Sequence, residues 1–356
     1  MANRLLQIRQ RLADFDAEAL LISSLPNIRW ACGFTGSNGL LLVSRRKAVF
    51  VTDGRYTDQA QEEVEGAEVV IADNGLVSRL VDLGFLDDLS QVLFQADHVT
   101  VSKQTALRKH LSDIEWMGES QLLANDVASK ESAEVDQIRR AQNLTESVFE
   151  EVISLVEPGM TEKEVAAEIT YRHLKRGADK MSFDPIVASG PNGAYPHAPP
   201  TDRQLREGEL IVLDMGCFLD GYASDMTRTV SLGHPPSAAQ RGYEVVQTAQ
   251  EKALDVARAG LTGKKLDSAA RTVIEGAGLG DYFSHGLGHG IGLQVHEWPR
   301  VSKTEENELT EGACVTIEPG VYVPEQEYGV RIEDIVVLNT NSCENLTSTS
   351  KELRIL

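Results

Sequence analysis

The sequence is poor in cysteine and has no long apolar run. It has four cysteines in 356 residues, at positions 32, 217, 314 and 343, with no CxxC pair and no zinc-finger spacing. That pattern excludes a disulfide-built secreted scaffold and a thiolate metal site of the zinc-finger kind. No apolar run is long enough to span a bilayer, and the first residues open a helical pattern rather than a signal-peptide core. We therefore expect a reduced, cytoplasmic protein.

Positive charge is also in deficit. The chain has 34 Lys and Arg against 54 Asp and Glu, which gives a formal net charge of -20 at pH 7. Nucleic acids and anionic lipid surfaces bind proteins through basic patches, so this balance argues against both partners. The hydrophobic content of 42% is that of an ordinary globular protein.

The length predicts two domains, because 356 residues exceed what one hydrophobic core usually serves. Residues 1–126 have the pattern of an α/β domain, with no cluster of potential metal ligands and a structural or oligomerisation role as the simplest interpretation. A polar linker follows at 127–134, and residues 135–356 form the second domain. In the first domain, short apolar runs predict strands at 19–22, 40–43, 48–51, 68–72 and 91–94, and a helix at 56–64.

The second domain has an α+β pattern. Ser132 is a plausible N-cap for a long helix, and Thr161 to Glu164 have the spacing of a capping box for the next helix, which Gly177 ends. Two further helices are predicted at 238–259 and 264–276, on either side of which lie strand-like runs.

The segment around Asp214 and Asp225 predicts a β-hairpin with two carboxylates on one face. Two strand-like runs flank Asp220-Gly221, a pair typical of two-residue hairpin turns. With that turn, Asp214 lies opposite Thr227, and the even spacing places Asp225 on the same face as Asp214. Either aspartate alone could equally be a strand-end or solvent-facing residue. Together they favour a bound cation, because a carboxylate in a buried strand is costly without a partner.

Further candidate ligands follow later in the chain. His285 and His289 lie in a glycine-rich run, where glycine at alternate positions leaves room for backbone or ligand to come close. Glu318 and Glu333 each follow an apolar strand-like context. Either glutamate alone would be an ordinary edge-strand charge, but four carboxylates and one imidazole suit a pair of divalent ions. Manganese or cobalt fits this donor set, and zinc or iron would also fit.

These residues resemble the ligand set of the pita-bread metallopeptidases, the family of prolidase, aminopeptidase P and methionine aminopeptidase. The likeness rests on the order Asp214, Asp225, His289, Glu318, Glu333 and on the motifs Pro196-His197, Gly286-Leu-Gly-His289, Val295-His296-Glu297, Glu318-Pro-Gly320 and Arg331-Ile-Glu333. Weaker likeness in Gly33–Asn38 and Thr52–Tyr56 implies a small creatinase-like α/β domain before a pita-bread catalytic domain. Methionine aminopeptidases lack that first domain, which favours the prolidase and aminopeptidase P branch.

The resemblance implies a role for each site residue. Asp214 would hold one ion, His289 and Glu318 the other, and Asp225 and Glu333 would bridge the two ions. Glu318 would also be the general base, Arg331 would orient the carboxylates, and His197 and His296 would donate hydrogen bonds to the substrate. Three assignments keep a structural alternative: His285 in a proline pocket or as a structural imidazole, Tyr222 at that pocket or in the core, and Arg300 as a clamp for the substrate carboxylate or as a solvated side chain.

The resemblance therefore implies a homodimeric peptidase that cleaves the Xaa-Pro bond of dipeptides or short peptides. It would bind two divalent ions per chain, with manganese as the preferred ion. The loop Phe34–Asn38 is expected near the partner's active-site mouth. The alternatives are a strict aminopeptidase P that acts on longer peptides and a pita-bread protein that binds peptides without catalysis.

Overall fold

The computed structural model describes residues 2–356 and divides the chain into two compact units, one ending at Val127 and the other running from Ala128 to Leu356. Each unit has its own buried apolar cluster. In the first, the cluster lies on the face of a single sheet, and in the second it is split among helices and several smaller sheets. The candidate ligands all belong to the second unit.

The first unit is built on a mixed six-stranded sheet with the strand order β4-β3-β2-β1-β5-β6. Strands β1, β5 and β6 run parallel, as do β3 and β4, whereas β2 is antiparallel to both of its neighbours. The strands are β1 Ala19–Ile22, β2 Leu40–Ser44, β3 Ala48–Asp53, β4 Glu68–Ala72, β5 Gln91–Gln95 and β6 Glu115–Glu119. The helices are α1 Ala2–Asp14, α2 Leu25–Cys32, α3 Thr57–Glu63, α4 Leu76–Asp82, α5 Val101–His110 and α6 Ala124–Ala128.

The five strands predicted for this unit are confirmed. Each of the five apolar runs forms a strand of the sheet. Strand β6 was not predicted, because its run Glu-Trp-Met-Gly-Glu carries a charge at each end and a glycine inside it. Tertiary contacts stabilise it, with its backbone paired to β5 and Trp116 buried.

Four long helices shape the second unit, and both capping predictions can be compared with them. They are α7 Ser132–Ile153, α8 Glu162–Lys175, α9 Ser237–Val256 and α10 Gly263–Gly276. The predicted capping box at Thr161 and Glu164 is confirmed, with the Thr161 hydroxyl accepting from the Glu164 N–H. The N-cap predicted at Ser132 is wrong by one residue: Glu131 caps α7, and Glu134 completes the box from inside the helix. A glutamate side chain, like that of serine, can accept from a backbone N–H of the first helical turn, so Glu131 can occupy the N-cap position.

The strands of the second unit form a four-stranded sheet in the order β20-β12-β9-β8, a five-stranded sheet in the order β14-β13-β15-β18-β19, and two small sheets. The strands are β7 Lys180–Met181, β8 Ile186–Ser189, β9 Glu209–Met215, β10 Cys217–Leu219, β11 Tyr222–Ala223, β12 Met226–Leu232, β13 Gly288–Gly290, β14 Glu297–Val301, β15 Cys314–Ile317, β16 Gly320–Val323, β17 Tyr328–Arg331, β18 Asp334–Leu338, β19 Cys343–Asn345 and β20 Arg354–Ile355.

The second unit contains one arrangement twice. In each copy a pair of helices precedes an antiparallel strand pair, β9 with β12 and then β15 with β18. The segments Leu205–Asp214 (LREGELIVLD) and Leu309–Glu318 (LTEGACVTIE) enter these pairs with the same spacing. Each has a glycine in the left-handed region at its fourth position, Gly208 with φ 83° and Gly312 with φ 79°. Asp214 and Glu318 therefore occupy equivalent positions in the two copies.

The chain between residues 2 and 356 has no helix that combines the length and the apolar character needed to cross a membrane.

Candidate metal centre

The first strand pair brings Asp214 and Asp225 together. Asp220 and Gly221 form a two-residue turn with φ of 50° and 74°, and Leu219 pairs with Tyr222 across it. The same register continues into β9 and β12, where Asp214 is paired with Thr227 as predicted. Asp214 and Asp225 are both buried.

The second strand pair supplies Glu318 and Glu333. Ile317, the last residue of β15, pairs with Asp334, the first residue of β18. Glu318 and Glu333 therefore sit opposite each other at the open end of the pair. Two equivalent hairpins thus each contribute two carboxylates.

His289 reaches this cluster from a short strand held between two others. The strand β13 pairs with β14 on one side and β15 on the other. A Cβ at Gly288 would overlap the Thr316 carbonyl, and a Cβ at Gly290 would overlap the Trp298 carbonyl. The alternating glycines predicted around His289 therefore serve close backbone approach on both sides.

The imidazole of His289 presents one nitrogen to the carboxylates. Its Nδ1 hydrogen-bonds the Gly290 carbonyl at 3.1 Å. Its Nε2 lies 3.4 Å from Glu318 Oε1 and 3.7 Å from Asp225 Oδ2. Ligand atoms of Asp225, His289 and Glu333 all lie within 4.8 Å of one another, which is close enough to share a cation.

Burial and mutual repulsion raise the pKa values of Asp225, Glu318 and Glu333. Burial raises the pKa of Asp225 well above its ordinary value, and the charges of Glu333, Asp214 and Glu318 raise it further. Burial also raises the pKa of Glu333, with the same help from Glu318 and Asp214. The pKa of Glu318 rises to about 7, again mainly through burial. Four carboxylates at this spacing need positive charge beside them.

Arg331 supplies part of that charge and ties the cluster together. Its buried guanidinium donates from Nη2 to Asp214 Oδ2 at 2.6 Å and from Nε to Thr227 Oγ1 at 3.0 Å. The Thr227 hydroxyl in turn donates to Glu333 Oε2 at 2.7 Å. Arg331 therefore orients Asp214 directly and Glu333 through Thr227.

The donor set fits divalent cations. Asp214 Oδ1 is buried and has no hydrogen-bond partner in the described part of the chain, although its sister oxygen is bound by Arg331. An orphaned carboxylate oxygen on a residue that lines a cavity with three other acids and one imidazole is costly unless a cation coordinates it. One guanidinium leaves three uncompensated negative charges when all four acids are ionised, and two divalent ions would offset them. Oxygen donors with one imidazole suit manganese, cobalt, zinc or iron.

A cavity of about 480 Å³ opens onto these ligands. That volume is in the range of small-molecule sites. Its lining brings together the five candidate ligands, Arg331, and the three histidines His197, His285 and His296. The His296 ring meets the His289 ring edge-on, with 4.3 Å between centroids. Both His197 and His296 are exposed to the cavity side of the site, where they can reach a ligand.

His285 is held by Tyr322, which sequence reasoning missed. The Nδ1 of His285 lies 2.8 Å from the Gly286 carbonyl, which can only accept, so Nδ1 carries the proton. Its Nε2 therefore accepts from the Tyr322 hydroxyl at 3.0 Å, and that hydroxyl accepts from Arg331 Nη1 at 2.7 Å. Burial lowers the pKa of His285 to about 4 and keeps the ring neutral. The sequence signal for Tyr322 was its position on a buried strand two residues after Gly320.

Two predicted substrate contacts lie away from the cavity lining. Tyr222 donates to Glu134 Oε1 at 2.9 Å and packs at the edge of a buried apolar cluster, which is the core alternative considered for it. Arg300 is exposed on β14, directly across from His289 in the strand register. Neither belongs to the described residues that line the cavity.

Family models match both units. Residues 136–340 match metallopeptidase family M24, and residues 4–125 match the creatinase/prolidase N-terminal domain. The first match contains all five candidate ligands.

Known proteins align over almost the whole chain. An Xaa-Pro dipeptidase of Pyrococcus horikoshii is 34% identical over 341 residues, which is 94% of each chain. The structure of an Xaa-Pro dipeptidase from Bacillus anthracis superposes with a TM-score of 0.96 at 33% identity, over 99% of both chains. The structure of an X-Pro aminopeptidase from Thermotoga maritima gives a TM-score of 0.90 at 34% identity, over 98% of this chain and 100% of that one.

Proposed function

The chain belongs to metallopeptidase family M24, and on that premise we propose that it hydrolyses the Xaa-Pro bond at the N-terminus of dipeptides or short peptides. The observation that carries the proposal is the convergence of four carboxylates and one imidazole on a small cavity, with Asp214 Oδ1 left without a protein partner. The family is one of hydrolases that depend on divalent ions. The substrate and the number and kind of ions are the proposal.

Two divalent ions per chain fit the candidate ligands, and manganese is the proposed native ion. By resemblance to the family, Asp214 would hold one ion, His289 and Glu318 the other, and Asp225 and Glu333 would be shared by both. Ligand atoms of Asp225, His289 and Glu333 lie within 4.8 Å of one another, which supports a shared site. When bound, divalent cations lower the pKa of water and polarise a carbonyl oxygen, which is the chemistry that peptide hydrolysis needs.

Glu318 is the proposed proton carrier. Its carboxylate lies at the edge of the cavity, and the Thr316 hydroxyl donates to Oε1 at 3.1 Å. It would accept the proton of the attacking water and deliver it to the leaving nitrogen. That nitrogen is a secondary amine when proline follows the cleaved bond, and a protonated amine is the better leaving group.

His197 and His296 would donate hydrogen bonds to the substrate carbonyl as negative charge develops on its oxygen. They lie on different loops and both line the cavity. Donors of this kind typically lower the barrier by about 2–4 kcal/mol each. Arg331 acts by holding Asp214 and Glu333 in place rather than by touching substrate.

Assays of three substrates test the proposal. Ala-Pro and Ala-Pro-Ala should be cleaved before proline, and Ala-Ala should be cleaved much more slowly. Cleavage of Ala-Ala at an equal or higher rate would overturn the proline specificity. A rate for Ala-Pro-Ala far above that for Ala-Pro would favour an aminopeptidase, the activity printed for the Thermotoga maritima neighbour.

Arg300 can be tested in the same assay. A guanidinium can bind a free carboxylate through two parallel hydrogen bonds, and Arg300 lies one strand away from the ligand His289. If it clamps a dipeptide, Arg300→Ala should raise KM for Ala-Pro far more than KM for Ala-Pro-Ala. Equal effects on both substrates, or no effect, would remove Arg300 from the site.

We further propose a cytoplasmic homodimer. Each of the four cysteines is a free thiol and three are buried, which supports a reducing compartment. The N-terminal unit contributes none of the candidate ligands, which supports a role in assembly, with Phe34–Asn38 near the partner's site. Light scattering should give twice the chain mass of 38.9 kDa. A fully active monomer would contradict the dimer.

A further inference from the structure

We propose that Glu162 is a positioning residue for the proposed peptidase reaction, and that it acts by fixing the loop that carries His197. This loop, residues 189–201, is called the His197 loop below. The inference rests on the proposed function, because it assigns Glu162 a task through His197. Glu162 is the first residue of α8 and its side chain is fully buried.

The Glu162 carboxylate receives five hydrogen bonds from the His197 loop. Oε1 accepts from the backbone N–H of Ser189 at 2.8 Å and from its hydroxyl at 2.7 Å. Oε2 accepts from Asn192 Nδ2 at 2.8 Å, from the Thr201 N–H at 3.0 Å and from the Thr201 hydroxyl at 2.6 Å. The Glu162 side chain therefore binds both ends of the loop, at Ser189 and Thr201, and one residue inside it, Asn192.

The His197 loop forms part of the cavity wall at the candidate metal centre. Pro196, His197, Pro199 and Pro200 line the cavity. The Pro196 carbonyl accepts from Arg331 Nη1 at 3.0 Å, so the loop also touches the residue that orients Asp214. A shift of this loop moves His197 relative to the substrate, and displacement of a catalytic group by about 1 Å can cost on the order of a hundredfold in rate.

The internal repeat shows that the helix does not need this carboxylate for its own attachment. In the first copy, the N–H groups of Glu162 and Lys163 donate to the carbonyls of Arg203 and Thr201. In the second copy, the N–H groups of Gly263 and Lys264 donate in the same way to Asn307 and Glu305. Gly263 has no side chain there, yet the start of the helix is hydrogen-bonded in the same pattern to the segment before the strand. The Glu162 carboxylate is therefore an addition that serves the His197 loop.

Charge and position explain why a glutamate is suited to this task. A buried carboxylate is tolerated when several donors surround it, and the first turn of a helix adds favourable field from its N–H groups. Both oxygens of Glu162 accept from a backbone N–H. A glutamine would keep the shape but would present its NH₂ group to one of those donors, so one end of the loop would lose its attachment.

Glu162→Gln and Glu164→Gln form a matched pair for the test. Glu164 lies in the same helical turn and also accepts two hydrogen bonds, but both come from Thr161 in its own capping box. Glu162→Gln should lower kcat/KM for Ala-Pro by tenfold to about a hundredfold, with metal content unchanged. Glu164→Gln should stay within twofold of the parent. In a His197→Ala background, Glu162→Gln should lower kcat/KM by less than twofold, because its effect passes through His197.

Hydrogen exchange supplies a measurement that does not depend on activity. The amides of residues 189–201 should exchange at least tenfold faster in Glu162→Gln than in the parent or in Glu164→Gln. Unchanged exchange and activity within twofold would overturn the positioning role, as would an undiminished effect in the His197→Ala background. An inactive parent with faster loop exchange in Glu162→Gln would instead overturn the proposed function and leave the loop attachment supported.

Thr201→Val carries the test if Glu162→Gln does not fold. It removes the hydroxyl that donates to Glu162 at 2.6 Å and accepts from the Arg203 N–H at 3.2 Å, and it keeps the Thr201 N–H contact. A several-fold loss of kcat/KM that disappears in the His197→Ala background supports the role. A loss that persists unchanged in that background overturns it.

Discussion

Arg331 is the residue that links most parts of the candidate site. Its guanidinium contacts Asp214, the Tyr322 hydroxyl and Thr227, and Thr227 passes the contact on to Glu333. These contacts use the planar, forked geometry of guanidinium, which an ammonium group cannot reproduce. The charge alone would therefore not keep the carboxylates in place.

Arg331→Lys should weaken manganese binding by tenfold to about a hundredfold, as is typical for residues that orient metal ligands. Titration calorimetry of metal-free protein measures the change without an activity assay. Arg354→Lys is the matched control, since Arg354 forms an ion pair with Glu150 on the surface and should leave the affinity unchanged. Equal affinity in Arg331→Lys and the parent would contradict the orienting role.

His173 predicts part of the pH dependence of stability. It is fully buried between the Ile169 carbonyl and the Thr145 hydroxyl, and burial lowers its pKa from 6.5 to about 4. The unfolded chain therefore binds more protons than the folded chain between these values. The free energy of unfolding falls as the pH is lowered from 6.5 to 4, by up to about 3 kcal/mol from this group.

His173→Gln should remove that part of the pH dependence, which denaturant unfolding at pH 7 and pH 4 would show. Glutamine can still donate and accept in the same space but does not titrate. The matched control is His98→Gln, at an exposed histidine, whose loss of stability should parallel that of the parent. Parallel curves for His173→Gln and the parent would exclude His173 as a source of acid sensitivity.

The elements show which features the sequence could predict. The Asp220-Gly221 turn fixed the register of the first hairpin, so the pairing of Asp214 with Thr227 followed from spacing alone. The second hairpin has a wider connection between Glu318 and Glu333, which includes β16 and β17, so no short turn signalled its pairing. The repeat of LREGELIVLD as LTEGACVTIE was present in the sequence but became evident only from matched strand positions.

The strand β13 makes a prediction at the scale of one element. A side chain at Gly288 has no space beside the Thr316 carbonyl, so Gly288→Ala should displace His289 and reduce bound manganese to one ion or fewer per chain. Gly276→Ala is the control at the end of α10, where an added Cβ meets open space. It should raise the free energy of unfolding by about 0.5–1 kcal/mol, since alanine has a higher helix propensity than glycine. Two manganese ions per chain in Gly288→Ala would contradict this prediction, because β13 would then accommodate the added Cβ without displacing His289.

At the scale of the whole molecule, the sequence predicted five candidate ligands but not their geometry. The resemblance supplied the order of the five side chains, which lie up to 119 positions apart between Asp214 and Glu333. It could not supply the contacts that hold them, such as Thr227 with Glu333 or Tyr322 with His285, because those depend on strands from different parts of the fold. Glu162 was visible only as an acid in the first turn of a helix, where acids are common.

The molecule as a whole is acidic, and the proposed metal centre is built on four of its acids, Asp214, Asp225, Glu318 and Glu333. Two divalent ions are the proposed partners of that cluster, so their number is the most direct test. Protein stripped with a chelator, reconstituted with manganese and freed of excess metal should contain two ions per chain by elemental analysis and should cleave Ala-Pro only after reconstitution. Glu333→Ala, treated in the same way, should contain at most one ion and remain inactive. Full activity in metal-free protein, or no manganese bound after reconstitution, would contradict the proposed two-ion centre.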